Sequence, residues 1–259
     1  MYIDTHCHLE MVEGEFPRDM VARARDAGVD TMLTVGVDLA SSAECVHTAS
    51  ALSAVWAVIG IHPHNAIEAT DAVFGHLGQL ATHPRVVGIG ETGLDYHRDH
   101  SPRDQQQAAF RTHIALAKER DKTLVIHCRD AHDDVLDILE AAGAPDRTVF
   151  HCFSGDTNFV KRCTDHGWYM SFAGTVTFRN APDLREAAAA APPELLLTET
   201  DAPYLSPHPH RGETNEPARV PLIAATLAEL HGMTCEQMGQ LTSGNARRAF
   251  ALPAAADAT

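Results

Sequence analysis

Histidines and carboxylates that follow short apolar runs are the residues of this chain best suited to chemistry. Seventeen of the 259 residues are histidine, which is well above ordinary usage. The first group is Asp4-Thr5-His6-Cys7-His8. Residues two apart in an extended segment point the same way, so His6 and His8 can reach one metal ion together.

A glutamate in a glycine-rich segment is the second candidate. Glu91 lies within GIGETGLDY at residues 88–96, directly after an apolar run. A carboxylate at the C-terminal end of a barrel strand occupies the region where such enzymes carry their active sites. The flanking glycines allow backbone and metal to approach closely. Glu91 is therefore a candidate metal ligand and our candidate for a bridge between two ions, the alternative being a surface glutamate in a glycine-rich turn.

Three further residues follow apolar runs in the same manner: His127, His151 and Asp201. Each has an ordinary structural explanation when taken alone, as a core histidine or a helix-capping aspartate. Together with the earlier residues they place four histidines and two carboxylates at the same end of their strands. Imidazole and carboxylate suit Zn²⁺, Mn²⁺ or Fe²⁺, and Mg²⁺ where carboxylate and water dominate. Two such ions ~3.5–4 Å apart can clamp a displacement at phosphorus.

Alternating strand-like and helix-like segments must position these residues. The strand-like runs cover residues 2–6, 30–36, 54–60, 85–90, 123–127, 148–151, 168–172 and 195–199. Helical patterns cover 16–28, 105–120 and 131–143, with Gly28 and Gly143 at positions that suit C-terminal caps.

This alternation predicts an α/β protein with a (β/α)8 TIM-type barrel as a single domain over residues 1–259, with 251–259 as a frayed tail. A doubly wound open sheet uses the same alternation. It would spread the polar residues along an edge, whereas a barrel gathers them around one mouth.

Composition narrows the function classes. Apolar residues make up 44% and charged residues 21% of the chain, as in ordinary globular proteins. The net charge of −15 argues against broad electrostatic capture of duplex DNA. Two divalent cations against Glu91 and Asp201 would leave the pocket locally positive, so an anionic phosphodiester can still bind. We expect a cytoplasmic protein with reduced cysteines, because no apolar run is long enough for a membrane span and the start lacks signal-peptide character.

Eight sequence blocks follow one another along the chain: DTHCHL (4–9), GIHPH (60–64), GETGLDY (90–96), IHCRDAH (126–132), HCFSG (151–155), ETDAPYL (199–205), NEP (215–217) and GNARRAF (244–250). Together they resemble the signature of the TatD family of metal-dependent DNases in the amidohydrolase superfamily. The resemblance implies a TIM-like barrel and two divalent metal ions, either Mg, Mn or Zn. It also implies hydrolysis of nucleic-acid phosphodiesters, as a 3′–5′ exonuclease with single-stranded DNA as the favoured substrate.

The same resemblance implies a role for individual residues. One ion would be held by His6, His8, Glu91 and Asp201, and the second by Glu91, His127 and His151. A hydroxide between the ions would attack phosphorus, with Asp201 orienting it or accepting its proton. The expected substrate contacts are His62, which would also act in catalysis, His64, Arg129 and Tyr204. Tyr96 is a further base-stacking candidate or a packing residue, and Asn215 and Glu216 are expected to fix the loop after the eighth strand.

One departure from the family pattern concerns the substrate. Glu213 stands where the family commonly has a lysine before Asn-Glu-Pro, which predicts weaker DNA binding or a shorter substrate.

The alternative function is that of another hydrolase of the superfamily, which would act on an ester or amide (including aminoacyl-tRNA) or on a small phosphodiester. Many such enzymes bridge their ions with a carboxylated lysine, and none of the three lysines here ends a strand. A non-enzymatic scaffold would not need the complete ligand set. No membrane and no obligate protein partner is expected.

Overall fold

Eight parallel strands follow one another around a barrel in the computed structural model, which describes residues 1–12 and 14–253. The strands are β1 (Tyr2–Cys7), β2 (Val29–Val35), β3 (Val55–Ile59), β4 (Val86–Asp95), β5 (Thr123–Arg129), β6 (Thr148–Phe150), β7 (Tyr169–Phe172) and β8 (Leu196–Thr198). Each strand pairs with the next in sequence. The last strand meets the first through side-chain bonds, as Thr5 Oγ1 donates to the Thr198 carbonyl over 3.1 Å. The predicted TIM-type barrel is confirmed.

Helices cover the outside of the barrel. They are α1 (Pro17–Asp26), α2 (Leu39–Ala51), α3 (Asp71–Leu80), α4 (Arg103–Glu119), α5 (His132–Ala142), α6 (Thr157–Asp165), α7 (Pro182–Ala190), α8 (Val220–His231) and α9 (Cys235–Ala249). The three helices predicted from periodicity are α1, α4 and α5. Gly143 caps α5 with a φ of 70°, a conformation that glycine adopts at little cost.

Strand β4 extends beyond the strand-like run predicted at 85–90, because its glycines allow the strand to continue to Asp95. Gly90 and Gly93 have φ angles of 146° and 138°, which side chains rarely adopt. A Cβ atom at Gly93 would collide with the carbonyl oxygen of His127 on β5. Glycine therefore keeps β4 paired to β5 as far as Asp95, which brings that buried carboxylate to the mouth of the barrel.

The barrel has a packed interior that is closed at the N-terminal ends of its strands. Leu33, Val125 and Leu197 lie in one buried cluster with Phe250 and Leu252 from the end of the described chain. A second, larger cluster lies between strands and helices. Because the bottom is plugged by the segment after α9, the open end is the one where the strands finish.

The expected frayed tail at 251–259 falls only in part on the described chain. Leu252 is buried, whereas residues 254–259 lie outside the described residues.

The six cysteines are free, with Cys7, Cys45 and Cys163 buried. Among the described helices, none combines the length and apolar character needed to cross a membrane.

Candidate metal centre

Glu91 lies at the centre of the mouth, and its two carboxylate oxygens face different histidines. Oε1 lies 2.7 Å from His127 Nδ1 and 2.7 Å from His151 Nε2. Oε2 lies 3.3 Å from His6 Nε2 and 4.0 Å from His8 Nε2. The glutamate thus stands between two pairs of imidazoles that come from three strand ends, those of β1, β5 and β6.

Three of these four rings are anchored through the nitrogen that points away from Glu91. His8 Nδ1 donates to the Val35 carbonyl over 2.7 Å. His127 Nε2 donates to Asp95 Oδ2 over 3.1 Å, and His151 Nδ1 donates to Glu199 Oε1 over 3.2 Å. A proton on the anchored nitrogen leaves the other nitrogen with a free lone pair, which is the arrangement that metal-ligating histidines require.

Asp201 completes the side of the centre that holds His6 and His8. Its Oδ1 lies 3.6 Å from His8 Nε2 and 3.8 Å from His6 Nε2. The two Nε2 atoms are themselves only 3.3 Å apart and aim at the same space. His6 and His8 with Asp201 therefore offer three converging donor atoms, and the oxygen and nitrogen chemistry of the set fits a divalent cation.

Charge favours the ionised form of both carboxylates. Burial raises the pKa of Glu91, but the surrounding imidazoles, His151 first among them, outweigh it and hold the pKa well below its usual range. Burial likewise raises the pKa of Asp201, and the adjacent imidazoles, His8 first among them, reverse the shift and lower it. Both side chains are therefore negatively charged at neutral pH and suited to bind cations.

His62 approaches the centre as a hydrogen-bond donor. Its Nε2 lies 3.4 Å from Glu91 Oε1 and 3.3 Å from His127 Nδ1. Its Nδ1 accepts the backbone N–H of His64 over 3.1 Å, so this nitrogen carries no proton. Burial lowers the pKa of His62 to about 4, which keeps the ring neutral at pH 7. The single ring proton then lies on Nε2, which donates toward the mouth and has no lone pair for a metal.

The remaining predicted contact residues lie around the rim. His64 Nε2 donates to Asp95 Oδ2 over 2.9 Å, and its side chain is only partly exposed. Arg129 is exposed at the end of β5 and makes no ion pair with any residue of the described chain, neither with Asp130 nor with Asp134. Tyr204 is 54% exposed, with its ring centroid 6.2 Å from that of His8.

Tyr96 is held by contacts with side chains of α4 and α5. Its hydroxyl donates to Asp134 over 2.6 Å, and the Arg103 guanidinium stacks 4.0 Å above its ring. Of the two readings open for Tyr96, packing residue and base-stacking residue, the contacts favour packing.

The loop after β8 is held by side-chain bonds. Asn215 is fully buried and donates to the carbonyls of Thr200 and Tyr204 over 2.8 and 2.7 Å. Glu213 accepts from Arg219 over 2.7 Å and from His210 over 3.0 Å. The acidic side chain at this position is thus bound within its own loop.

Sequence reasoning missed two buried carboxylates, Asp95 and Glu199. Asp95 Oδ2 accepts from both His64 and His127, and its Oδ1 accepts the backbone N–H groups of His97 and Arg98. Each missed residue lies close in sequence to a recognised one, since Asp95 is four residues after Glu91 and Glu199 is two before Asp201. That spacing was the available signal, but it does not say which ring each carboxylate orients.

Comparison with known proteins gives a consistent result. The profile of the TatD related DNase family matches residues 3–251. A metal-dependent hydrolase TatD of Mycobacterium tuberculosis is 44% identical over 96% of this chain and 98% of its own. A 3′-5′ ssDNA/RNA exonuclease TatD of Klebsiella pneumoniae is 38% identical over 94% and 96%. The crystal structure of YJJV, a TatD homolog of Escherichia coli, superposes with a TM-score of 0.91 at 29% identity, covering 97% of this chain and 98% of its own.

Proposed function

Because this chain belongs to the family of TatD-related DNases, which are metal-dependent hydrolases, we propose that it is a 3′–5′ exonuclease of single-stranded DNA with two divalent cations. The observation that carries the proposal is the division of Glu91 between two histidine pairs. A carboxylate with a separate set of nitrogen donors at each oxygen is the arrangement that a bridging ligand needs. The relatives named as single-stranded DNA and RNA exonucleases support the substrate class.

In this proposal the residues divide into two ligand sets that share one member. One cation is held by His6, His8, Glu91 and Asp201, and the other by Glu91, His127 and His151. When bound, the cations (Mg²⁺, Mn²⁺ or Zn²⁺) polarise the phosphoryl group and lower the pKa of water. Their charge also offsets that of the two carboxylates, so that an anionic phosphodiester can enter the mouth of an acidic protein.

The protein's own groups then position the substrate and handle protons. Asp201 is the proposed acceptor for the proton of the attacking water, since it is ionised and lies at the edge of the centre. The Nε2–H of His62 donates to an oxygen of the scissile phosphate or to the leaving oxygen, where negative charge develops. Tyr204 stacks on a base beside the first ligand set, while Arg129 and His64 contact the phosphate.

The test is cleavage of a 5′-labelled single-stranded oligonucleotide by the purified protein after stripping and reloading with Mg²⁺, Mn²⁺ or Zn²⁺. A metal-dependent ladder that shortens from the 3′ end, absent in a Glu91→Gln variant, is the expected result. If the wild-type protein cleaves neither DNA nor RNA with any of these ions, the proposal is contradicted. The centre would then be assigned to an ester, an amide or a small phosphodiester.

A further inference from the structure

A groove with basic walls lies between the segment after β7, helices α7 and α8, and the loop that follows β8. Its volume is about 780 Å³, and its lining includes Thr177 and Arg179 after β7, Arg185 on α7 and His208 in the loop after β8. Both loops leave the C-terminal ends of their strands, so the groove begins on the same face of the barrel as the metal centre.

The charge of the groove is opposite to that of the molecule. Acidic residues outnumber lysine and arginine by 35 to 20 in the whole chain. In the groove, two arginines and a histidine face a single acidic side chain, Glu229. That glutamate is 3.9 Å from Arg185 and is itself largely exposed, so the pair is loose and screened. Arg179 is exposed and has no hydrogen-bond or ion-pair partner among residues 1–12 and 14–253.

The walls of the groove are held in place by two hydrogen bonds and a cation–π contact. The backbone N–H of His208 donates to Thr177 Oγ1 over 2.8 Å, and this joins the two loops. The Arg211 guanidinium stacks 3.8 Å above the Phe178 ring and makes a second connection. Arg185 donates to the Val176 carbonyl over 3.3 Å. A fixed cleft with an unpaired guanidinium at its rim is suited to bind phosphate.

We propose that this groove, with Arg179 at its rim, binds backbone phosphates of a single-stranded polynucleotide several nucleotides away from the scissile bond. In (β/α)8 barrels the loops after the seventh and eighth strands frequently form phosphate sites. The proposal rests on the proposed function, since it makes the groove a continuation of the substrate path. Contact is with phosphates alone, so DNA and RNA strands of equal length are held equally.

The test compares Arg179→Glu with Arg25→Glu, both in the metal-loaded protein. Arg25 is exposed in the last turn of α1, at the opposite face of the barrel, and gives the same change of charge. On a twelve-nucleotide strand, Arg179→Glu raises KM severalfold and leaves kcat unchanged, while Arg25→Glu changes neither. On a dinucleotide, too short to reach the groove, both variants behave as wild type. Arg179→Lys retains most of the binding.

Salt dependence and a separate binding measurement complete the test. Loss of one phosphate contact lowers the slope of log Kd against log salt by about 0.7 for a single strand, and Arg179→Gln should show that change. An unchanged KM for the long strand, or an equal rise for the dinucleotide, overturns the proposal.

Binding of a fluorescent phosphorothioate strand, followed by anisotropy, distinguishes failure of the groove proposal from failure of the nuclease assignment. Arg179-dependent binding without cleavage by the wild type would support the groove and refute the nuclease. Cleavage with no dependence on Arg179 would refute the groove alone.

Discussion

Glu199 Oε1 accepts a hydrogen bond from His151 Nδ1 over 3.2 Å, in a region where both side chains are buried. The same oxygen accepts the backbone N–H of Cys152 over 2.6 Å. Oε2 of Glu199 and Nδ1 of His6 are both buried and have no hydrogen-bond partner in the described chain. The rings of His6 and His151 stack at 3.9 Å, so one carboxylate lies beside an imidazole from each proposed ligand set.

We expect Glu199→Gln to weaken metal binding at both proposed ion positions. The amide lacks the charge that keeps the proton on His151 Nδ1 and makes Nε2 a good donor. Loss of such a supporting carboxylate lowers metal affinity by about 10- to 100-fold. The measurement is calorimetric titration of the stripped protein with Zn²⁺ or Mn²⁺. Glu194→Gln, an exposed change just before β8, is the matched control, and equal affinities in the two variants would contradict the role of Glu199.

Asp95→Asn should affect one ion only. Asp95 holds His127 through Nε2 and has no contact with His6 or His8. An asparagine can place its NH₂ group against that ring and favour the other tautomer, which puts a proton where the lone pair is needed. We expect the second ion to bind about 10- to 100-fold more weakly while the first is retained. The number of ions per chain, measured at limiting metal, checks this. Asp104→Asn, on the exposed face of α4, should retain two ions.

His62→Ala separates catalysis from metal binding. Because His62 Nδ1 accepts a backbone N–H, its Nε2–H is a donor, and its removal should leave metal affinity unchanged. Loss of a positioned proton donor lowers kcat by about 10²–10⁴-fold. His127→Ala, in contrast, should reduce metal affinity as well as kcat. A His62→Ala protein that fails to retain its metal would show that His62 is a ligand.

His113 makes the stability of the fold depend on pH. It is fully buried, its Nε2 accepts the Ile61 N–H over 3.0 Å, and its Nδ1 donates to the Ala109 carbonyl over 2.7 Å. Burial lowers its pKa from 6.5 to about 4, so the unfolded chain binds the proton more readily. Its contribution to stability is complete above pH 6.5 and is lost as the pH falls toward 4.

The expected loss at His113 is about 2 kcal/mol between pH 7 and pH 5. Urea unfolding of the wild type and of His113→Gln at both pH values isolates this contribution, since other titrating groups are common to the two proteins. Between pH 7 and pH 5, the His113→Gln variant should lose about 2 kcal/mol less of its free energy of unfolding than the wild type does. His76→Gln, an exposed change on α3, should follow the wild type, and parallel behaviour of all three proteins would rule the mechanism out.

The sequence alone determined the barrel and the residues around its mouth. Period-two and period-3.6 patterns are local, and chemistry-bearing residues at the ends of apolar runs must meet when parallel strands close. His6, Glu91 and His151 could therefore be placed together without coordinates. The length of β4 could not be predicted, because the apolar run ends near residue 90, whereas the positive φ angles of Gly90 and Gly93 let the backbone continue against β5.

Only the tertiary structure decided how each ring is used. The tautomer of a histidine depends on the partner of its other nitrogen, and those partners lie far away in sequence: Val35 for His8, Asp95 for His127, Glu199 for His151. The groove at Arg179 likewise exists only because the loops after β7 and β8 are tied together through Thr177 and His208. Hydrogen bonds and charge act through space, so their consequences follow from distances that residue spacing does not contain.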